Sequence, residues 1–296
     1  MASEYSKNRT TVRIVQQLVG LVERVAPKWT EEKAFAAWGR PQRPPAKWGG
    51  LLANARRFEL DVGDRNLPAW EWNAGAPRGT ALLVHGWSGN ASQMGSYVEP
   101  LTKQGWHVVA FDLPAHGEAA GNFCTLPMMT QVVSTLVTRL QPKIIIAHSL
   151  GATASAYAMT KGPHVEKLAL LAPPGRMPPF LTHFTRLAGL SDAMRDRLLL
   201  RVEGIIRAPI SELDLVKHAP SLGDVETLLL HDVNDEVVPV ASSRELVALW
   251  PGAKLVETEK LGHDRIRRSA EVVEQVINFS IASTVTQVER PTKLAS

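Results

Sequence analysis

One serine, two aspartates and one histidine stand where a chain could assemble a proton relay: Ser149 in IIIAHSLGATASAYA (144–158), Asp232 and Asp235 in LLLHDVNDEVVP (228–239), and His263 in KLGHDRI (260–266). A serine hydroxyl is a weak nucleophile until a base takes its proton, and the base needs an acid to fix its tautomer and stabilise its charge. Ser149 follows an apolar run that reads as a strand buried on both faces and precedes a small-residue stretch that reads as a helix. It therefore sits on a sharp turn, with Ala147 and Gly151 two residues either side leaving room for the backbone to fold tightly. The plainer reading of such a serine is a helix cap. Both aspartates lie near one strand end. Asp235 is the better acid, and Asp232, three residues nearer the strand, is the alternative and is expected to bond loop backbone. His263 follows flexible Gly262 just past the last strand, within reach of a serine on a neighbouring strand.

Positioning these groups requires several strands ending at one edge of a sheet. Eight strand candidates are visible: FELDV, LPAWEW, TALLVHG, HVVAFD, KIIIAHS, KLALLAP, ETLLLHD and AKLVET. Helical patterns fall between the later ones, at 91–104, 127–140, 151–161, 242–250 and 269–283. This alternation predicts an α/β fold with a mostly parallel eight-stranded sheet and helices on both faces. The first two strands, joined by GDRN, should form an antiparallel hairpin. Residues 57–173 and 224–296 make up the expected core. Between them, 174–223 lacks a convincing strand and reads as a helical lid insertion over the carboxyl ends of the strands. Residues 1–56 form an N-terminal helical extension. In it, 11–26 is amphipathic, with Val12, Val15, Leu18, Val19, Val22 and Val25 on one face, and Thr30 is placed to cap a second helix through Trp38.

With 296 residues, 45% of them hydrophobic and 21% charged, the chain can bury one ample core with appendages. The single cysteine, Cys124, permits neither an internal disulfide nor a cysteine zinc site and reads as packing; polar residues interrupt 12–26, which is neither a signal peptide nor a membrane span. A cytoplasmic location is the expectation. Basicity is concentrated in residues 1–58, with 11 Lys/Arg against 4 Asp/Glu. No nucleic-acid motif accompanies it, so a solvated basic face is expected and nucleic acid is not. The helix at 11–26 is expected to pack against protein, either the core or a second copy in a homodimer; weak contact with a membrane surface is the rival reading. His231–Asp232 and His263–Asp264 offer no open three-ligand spacing, so no metal is expected. His85 and His116 read as structural hydrogen-bond donors, and His148 as pointing away from the elbow.

Over residues 57–285 the sequence resembles the α/β-hydrolase fold superfamily, with its serine esterases and lipases. HGWSG (85–89) is similar to the family's oxyanion loop, FDLPAHG (111–117) to its turn after the next parallel strand, and AHSLG to its nucleophile elbow; DVNDEVVP and GHDRI complete the set. Ala147 stands where the most familiar elbow has glycine. The resemblance implies Ser149 as nucleophile, His263 as base and Asp235 as acid. It also implies an oxyanion hole made by the backbone N–H groups of Trp87 and Leu150. Trp87, Met177, Phe180, Leu181 and Phe184 would then shape an apolar substrate pocket. The activity implied is hydrolysis of a small-molecule carboxylic ester with a small to medium acyl chain, through an acyl-serine and with no cofactor. A thioesterase, lactonase, C–C hydrolase or acyltransferase would use the same three residues, and a non-catalytic receptor or interaction protein on this scaffold would lack one of them.

Overall fold

A computed structural model describes residues 2–76, 78–160, 162, 165–223 and 225–282, and of residues 2–13 the course of the backbone alone. Each alternating or apolar run bounded by turn residues forms a strand: β1 (Arg56–Val62), β2 (Arg65–Trp72), β3 (Thr80–Val84), β4 (His107–Phe111), β5 (Ile144–His148), β6 (Lys167–Leu171), β7 (Glu226–Asp232) and β8 (Ala253–Thr258). They make one sheet in the order β1-β2-β4-β3-β5-β6-β7-β8. β1 and β2 form the antiparallel hairpin, closing at Val62 opposite Arg65, and β2 pairs antiparallel with β4. Every other pairing is parallel, with β5 between β3 and β6.

The helices are α1 (Ala2–Val25), α2 (Pro27–Trp38), α3 (Val98–Lys103), α4 (Leu126–Leu140), α5 (Ser149–Met159), α6 (Pro178–Ala188), α7 (Asp192–Ile206), α8 (Leu215–His218), α9 (Ala241–Leu249), α10 (Gly262–Arg265) and α11 (Ala270–Ile281). Side chains alternate across a strand, so β5 feeds two cores at once. Ile145 and Ala147 face a cluster with Met129 and Val133 of α4, whereas Ile144 and Ile146 face one with Leu101 of α3 and Val272 and Val276 of α11. A strand covered on both faces has no reason to alternate in polarity, which is why β5 reads as continuous isoleucine.

The stretch between β6 and β7 holds α6, α7 and α8 with short 3-10 turns. Ser191 caps α7, its hydroxyl accepting from Met194 N–H at 3.1 Å. Ala34 of α2 is buried with Leu181, Met194 and Leu198, so α2 belongs to the same helical layer as α6 and α7. Two expectations change here. α2 starts at Pro27, three residues before the expected cap, because proline suits a first helical turn that needs no N–H; Thr30 lies inside the helix and donates to Ala26 O at 3.0 Å. α1 does not bury its apolar face against the rest of its own chain. Gly189, left-handed at φ 73°, ends α6 and exposes carbonyls to the polar edge of α1: Gln16 Nε2 donates to Leu187 O at 3.1 Å, and Glu23 accepts from Ser191 N–H at 3.0 Å. Ile14, Val15, Leu18, Leu21, Val22 and Val25 are left exposed. Among the described residues, no helix is long and apolar enough to cross a membrane.

Candidate active site

β5 delivers its chain to the sheet edge and turns at once into α5. Ser149, at that turn, holds φ at 53°, a left-handed conformation that costs a non-glycine residue of the order of 1 kcal/mol. Two glycines let the neighbouring loop approach. A Cβ on Gly151 would lie 2.1 Å from the carbonyl oxygen of His85, and one on Gly86 would lie 3.0 Å from Ser149 Cβ. The 85–89 loop is thus packed directly against the elbow. Ala147 is fully buried and accommodated within β5.

His263 lies in α10, just past β8, and Asp235 in the loop after β7. His263 Nε2 is 2.9 Å from Ser149 Oγ, and its Nδ1 is 2.7 Å from Asp235 Oδ2. The other carboxylate oxygen, Oδ1, accepts from Val237 and Val238 N–H, both at 2.8 Å. Burial opposes ionisation of Asp235, but hydrogen bonds from His231, His263 and Val238 outweigh it and hold the carboxyl well below its ordinary range. His231, fully buried, lies 3.4 Å from Asp235 through Nε2, which also donates to Val238 O at 2.8 Å. Sequence reasoning missed this residue in that role, because the contact is made by the turn after β7 and no regular spacing announces it.

Asp232 sits elsewhere. Its oxygens accept from Asn234 N–H at 3.0 Å, Thr258 Oγ1 at 2.8 Å and Leu261 N–H at 3.0 Å, and none of its hydrogen bonds reaches His263. It fastens the turn that carries Gly262 and His263 to the end of β7.

His148 departs from expectation. Its ring lies beside His263, 4.8 Å between centroids, and its Nε2 donates to His263 O at 2.9 Å. A histidine ending a fully buried strand must find a partner for its ring, and the α10 backbone supplies it. Burial, then the proximity of His263 and Arg267, lowers its pKa well below the usual value, so the ring is neutral. His85 ties two loops together: Nδ1 donates to Gly86 O at 2.8 Å and Nε2 accepts from Leu113 N–H at 3.0 Å. Burial, then His116, lowers its pKa to about 3. His116 donates through Nδ1 to Pro114 O at 2.9 Å, and burial takes it to about 4. Asp112 accepts from Ala91 N–H at 2.7 Å and Glu118 N–H at 2.8 Å, and burial raises it to about 6.

Leu150 N–H belongs to the first turn of α5, where the helix itself offers no acceptor. Trp87 stands at the corner of a turn closed by Gly89 N–H to Gly86 O at 3.1 Å, with Ser88 at φ 56° as a type II turn requires. Ser88 Oγ accepts from Gln42 N–H at 2.9 Å, binding this loop to the connector after α2.

Ser149 and His263 open into a cavity of about 680 Å³, within the usual range for small-molecule sites. Trp87, Met177, Phe180 and Phe184 line it. Leu181 does not: one position round the helix from Phe180, it turns into the cluster with Ala34, Met194 and Leu198. Phe35 and Trp38 of α2 also line the cavity, which sequence reasoning missed; the signal was two aromatics three apart on one helical face.

A family model described as alpha/beta hydrolase family matches residues 81–275. Among solved structures, the Pyrococcus furiosus esterase Pf2001 superposes with a TM-score of 0.62 at 21% identity, over 81% of this chain and 97% of its own. A putative lipase from Acinetobacter baumannii AYE gives 0.61 at 20% identity, covering 78% and 92%. A membrane phospholipase A, described as a novel bacterial virulence factor, gives 0.59 at 18% identity, covering 92% and 97%. These identities speak to the fold. No curated protein sequence matches the chain.

Proposed function

The chain belongs to the alpha/beta hydrolase family, and from that premise we propose that it is a serine hydrolase cleaving carboxylic esters of small to medium acyl chains. The observation that carries this reading is the unbroken relay from Ser149 Oγ through His263 to Asp235, at 2.9 and 2.7 Å, on the floor of an apolar cavity.

Ser149 Oγ attacks the ester carbonyl carbon while His263 Nε2 takes its proton. The carbonyl π electrons move onto oxygen, and the resulting oxyanion meets the N–H groups of Trp87 and Leu150. Preorganised donors of this kind contribute roughly 3–4 kcal/mol each in a dry site. Collapse of the intermediate breaks the bond to the leaving oxygen, which takes the proton from Nε2 and departs as the alcohol. Water then gives a proton to Nε2 and attacks the acyl carbon, and a second collapse releases the acid and returns the proton to Ser149. Asp235, held ionised, stabilises each transient imidazolium and keeps the Nδ1–H tautomer.

Helices α2, α6 and α7 serve as the lid, and the aromatic rings of Phe35, Trp38, Phe180 and Phe184 favour an apolar acyl group. A single buried cysteine needs no oxidising surroundings, which supports a cytoplasmic setting. Turnover of p-nitrophenyl esters of increasing chain length, alongside matched thioesters and lactones, tests the reading. It predicts the highest kcat/KM on a short or medium oxygen ester. Turnover of none of the oxygen esters would refute it, and a preference for thioesters would move the leaving group to sulfur.

A further inference from the structure

A helix on a water-soluble surface normally buries its apolar stripe and shows its polar one; α1 does the reverse. Its polar edge, Gln16 and Glu23, is bonded to the end of α6 and the start of α7, and Gly20 lies against Gly189 O at what would be 3.9 Å from a Cβ. The stripe of Ile14, Leu18, Leu21 and Val25, with Val15 and Val22 beside it, faces outward; Leu18 and Leu21 are each 57% exposed. Apolar surface continues toward the site. Leu187, whose carbonyl holds Gln16, and Ile205 of α7 are 62% and 56% exposed and also line the cavity.

Charge follows the same division. Glu23 is taken up by Ser191, and Glu31 lies 3.9 and 3.8 Å from Arg197 and Arg201 of α7. Arg24, Lys28 and Lys33 are exposed, and Glu32 is the one exposed acid among the described side chains of α1 and α2. Trp29, 54% exposed, carries Lys33 Nζ 5.7 Å from its ring, so an amphipathic ring and a cation stand together beside the stripe.

We propose that this face docks on an anionic lipid surface, with the apolar stripe of α1 entering the headgroup boundary and the basic residues meeting lipid phosphates. Charge complementarity favours lipid over a second copy, since two copies of a face whose exposed charges are Arg24, Lys28 and Lys33 against Glu32 repel each other and are attracted to an anionic bilayer. Docking would turn the cavity mouth at Leu187 and Ile205 toward the membrane. On the ester-cleaving reading above, the substrate class would then be esters dissolved in lipid.

The test is flotation of the full-length protein with mixed phosphatidylcholine–phosphatidylglycerol vesicles, with pure phosphatidylcholine vesicles as control. We expect binding to the mixed vesicles that weakens with added salt, and a drop of about tenfold or more in the Leu18→Asp, Leu21→Asp double variant. Both positions are exposed and neither lines the cavity, so turnover of a soluble short-chain ester should not change. Absence of flotation in the wild type, or equal flotation by the variant, overturns the proposal. A concentration-dependent dimer that the variant loses, without vesicle binding, assigns the face to a second copy and overturns it too. Loss of soluble-ester turnover in the wild type would instead strike the ester reading and leave the flotation result standing.

Discussion

At the floor of the cavity, Asp235 accepts hydrogen bonds from Val237, Val238 and His263, while at its roof Phe180, Phe184 and Trp38 meet the space with aromatic rings alone. The floor stands on the ends of β5, β7 and β8, and its contacts are directional, buried and mutually dependent. The roof is built from α2, α6 and α7, and its contacts are apolar, non-directional and partly open to water. A directional floor tolerates almost no change in atom type, whereas an apolar roof trades one shape for another at modest cost. On the function proposed above, the sheet would fix the chemistry, and the range of substrates would be left to helices that can be altered separately.

The strongest way to break this comparison is at the floor. Ser149→Ala should lower turnover by about 10⁶ with the fold intact, as removal of the nucleophile does in serine proteases. Asp235→Asn keeps the shape but favours the wrong histidine tautomer, and about 10⁴ in kcat should go. Asp232→Asn should act differently. Its Oδ2 accepts from both Thr258 and Leu261, and an amide nitrogen there would face donors, costing roughly 1–3 kcal/mol of stability with a much smaller loss of turnover. Turnover and thermal midpoint measured on both variants separate the two roles; equal kinetic losses would erase the distinction.

The roof should respond more gently and in selectivity. Phe180→Ala and Phe184→Ala should shift relative kcat/KM between short and longer acyl esters by about tenfold. Leu181→Ala, in the buried cluster, should cost about 2–5 kcal/mol of stability and leave the chain-length profile in place. A Leu181 variant with an altered profile and unaltered stability would reverse the two assignments.

The smallest effect lies in the pH dependence of the loops beneath the floor. His85 and His116 bind protons only near about 3 and 4, against about 6.5 in an unfolded chain. Between those limits the unfolded state holds more protons, so stability is present above about pH 6.5 and falls as pH drops, by at most about 1.4 kcal/mol per pH unit for each histidine. Asp112 acts in the opposite sense: raised to about 6, it contributes stability at low pH that is lost as pH rises through that value. His116→Phe should therefore flatten the loss of stability in chemical denaturation between about pH 6.5 and pH 4. An unchanged slope would mean that His116 is not the buried neutral ring described.

The central strands β3 to β7 were legible because each is an apolar run buried on both faces and ended by turn residues, and the edge strands β1 and β8 by short runs of mixed polarity between turns. Ser149, Asp235 and His263 were legible as candidates because each lies just past a strand end, and Asp232's loop bonds followed from its nearness to β7. What escaped depends on contacts between distant segments. Phe35 and Trp38 reach the cavity only because α2 packs on α6 and α7, and no local pattern states that. Leu181 and Phe180 are both apolar on one helix, and which faces the cavity depends on helix rotation. The outward face of α1 was unreadable for a further reason: periodicity finds the apolar stripe but not the partner, and here the end of α6 offers the carbonyls of Arg186 and Leu187 to the polar edge.

The central claim is that Ser149 is the nucleophile, activated by His263. The most direct measurement is fluorophosphonate labelling of the wild type and of His263→Ala, with peptide mass spectrometry to locate the adduct. The account predicts one adduct per chain on the peptide containing Ser149, formed at a rate that falls by orders of magnitude when His263 is replaced. An adduct on another serine, or full esterase activity with Ser149 unlabelled, would contradict it.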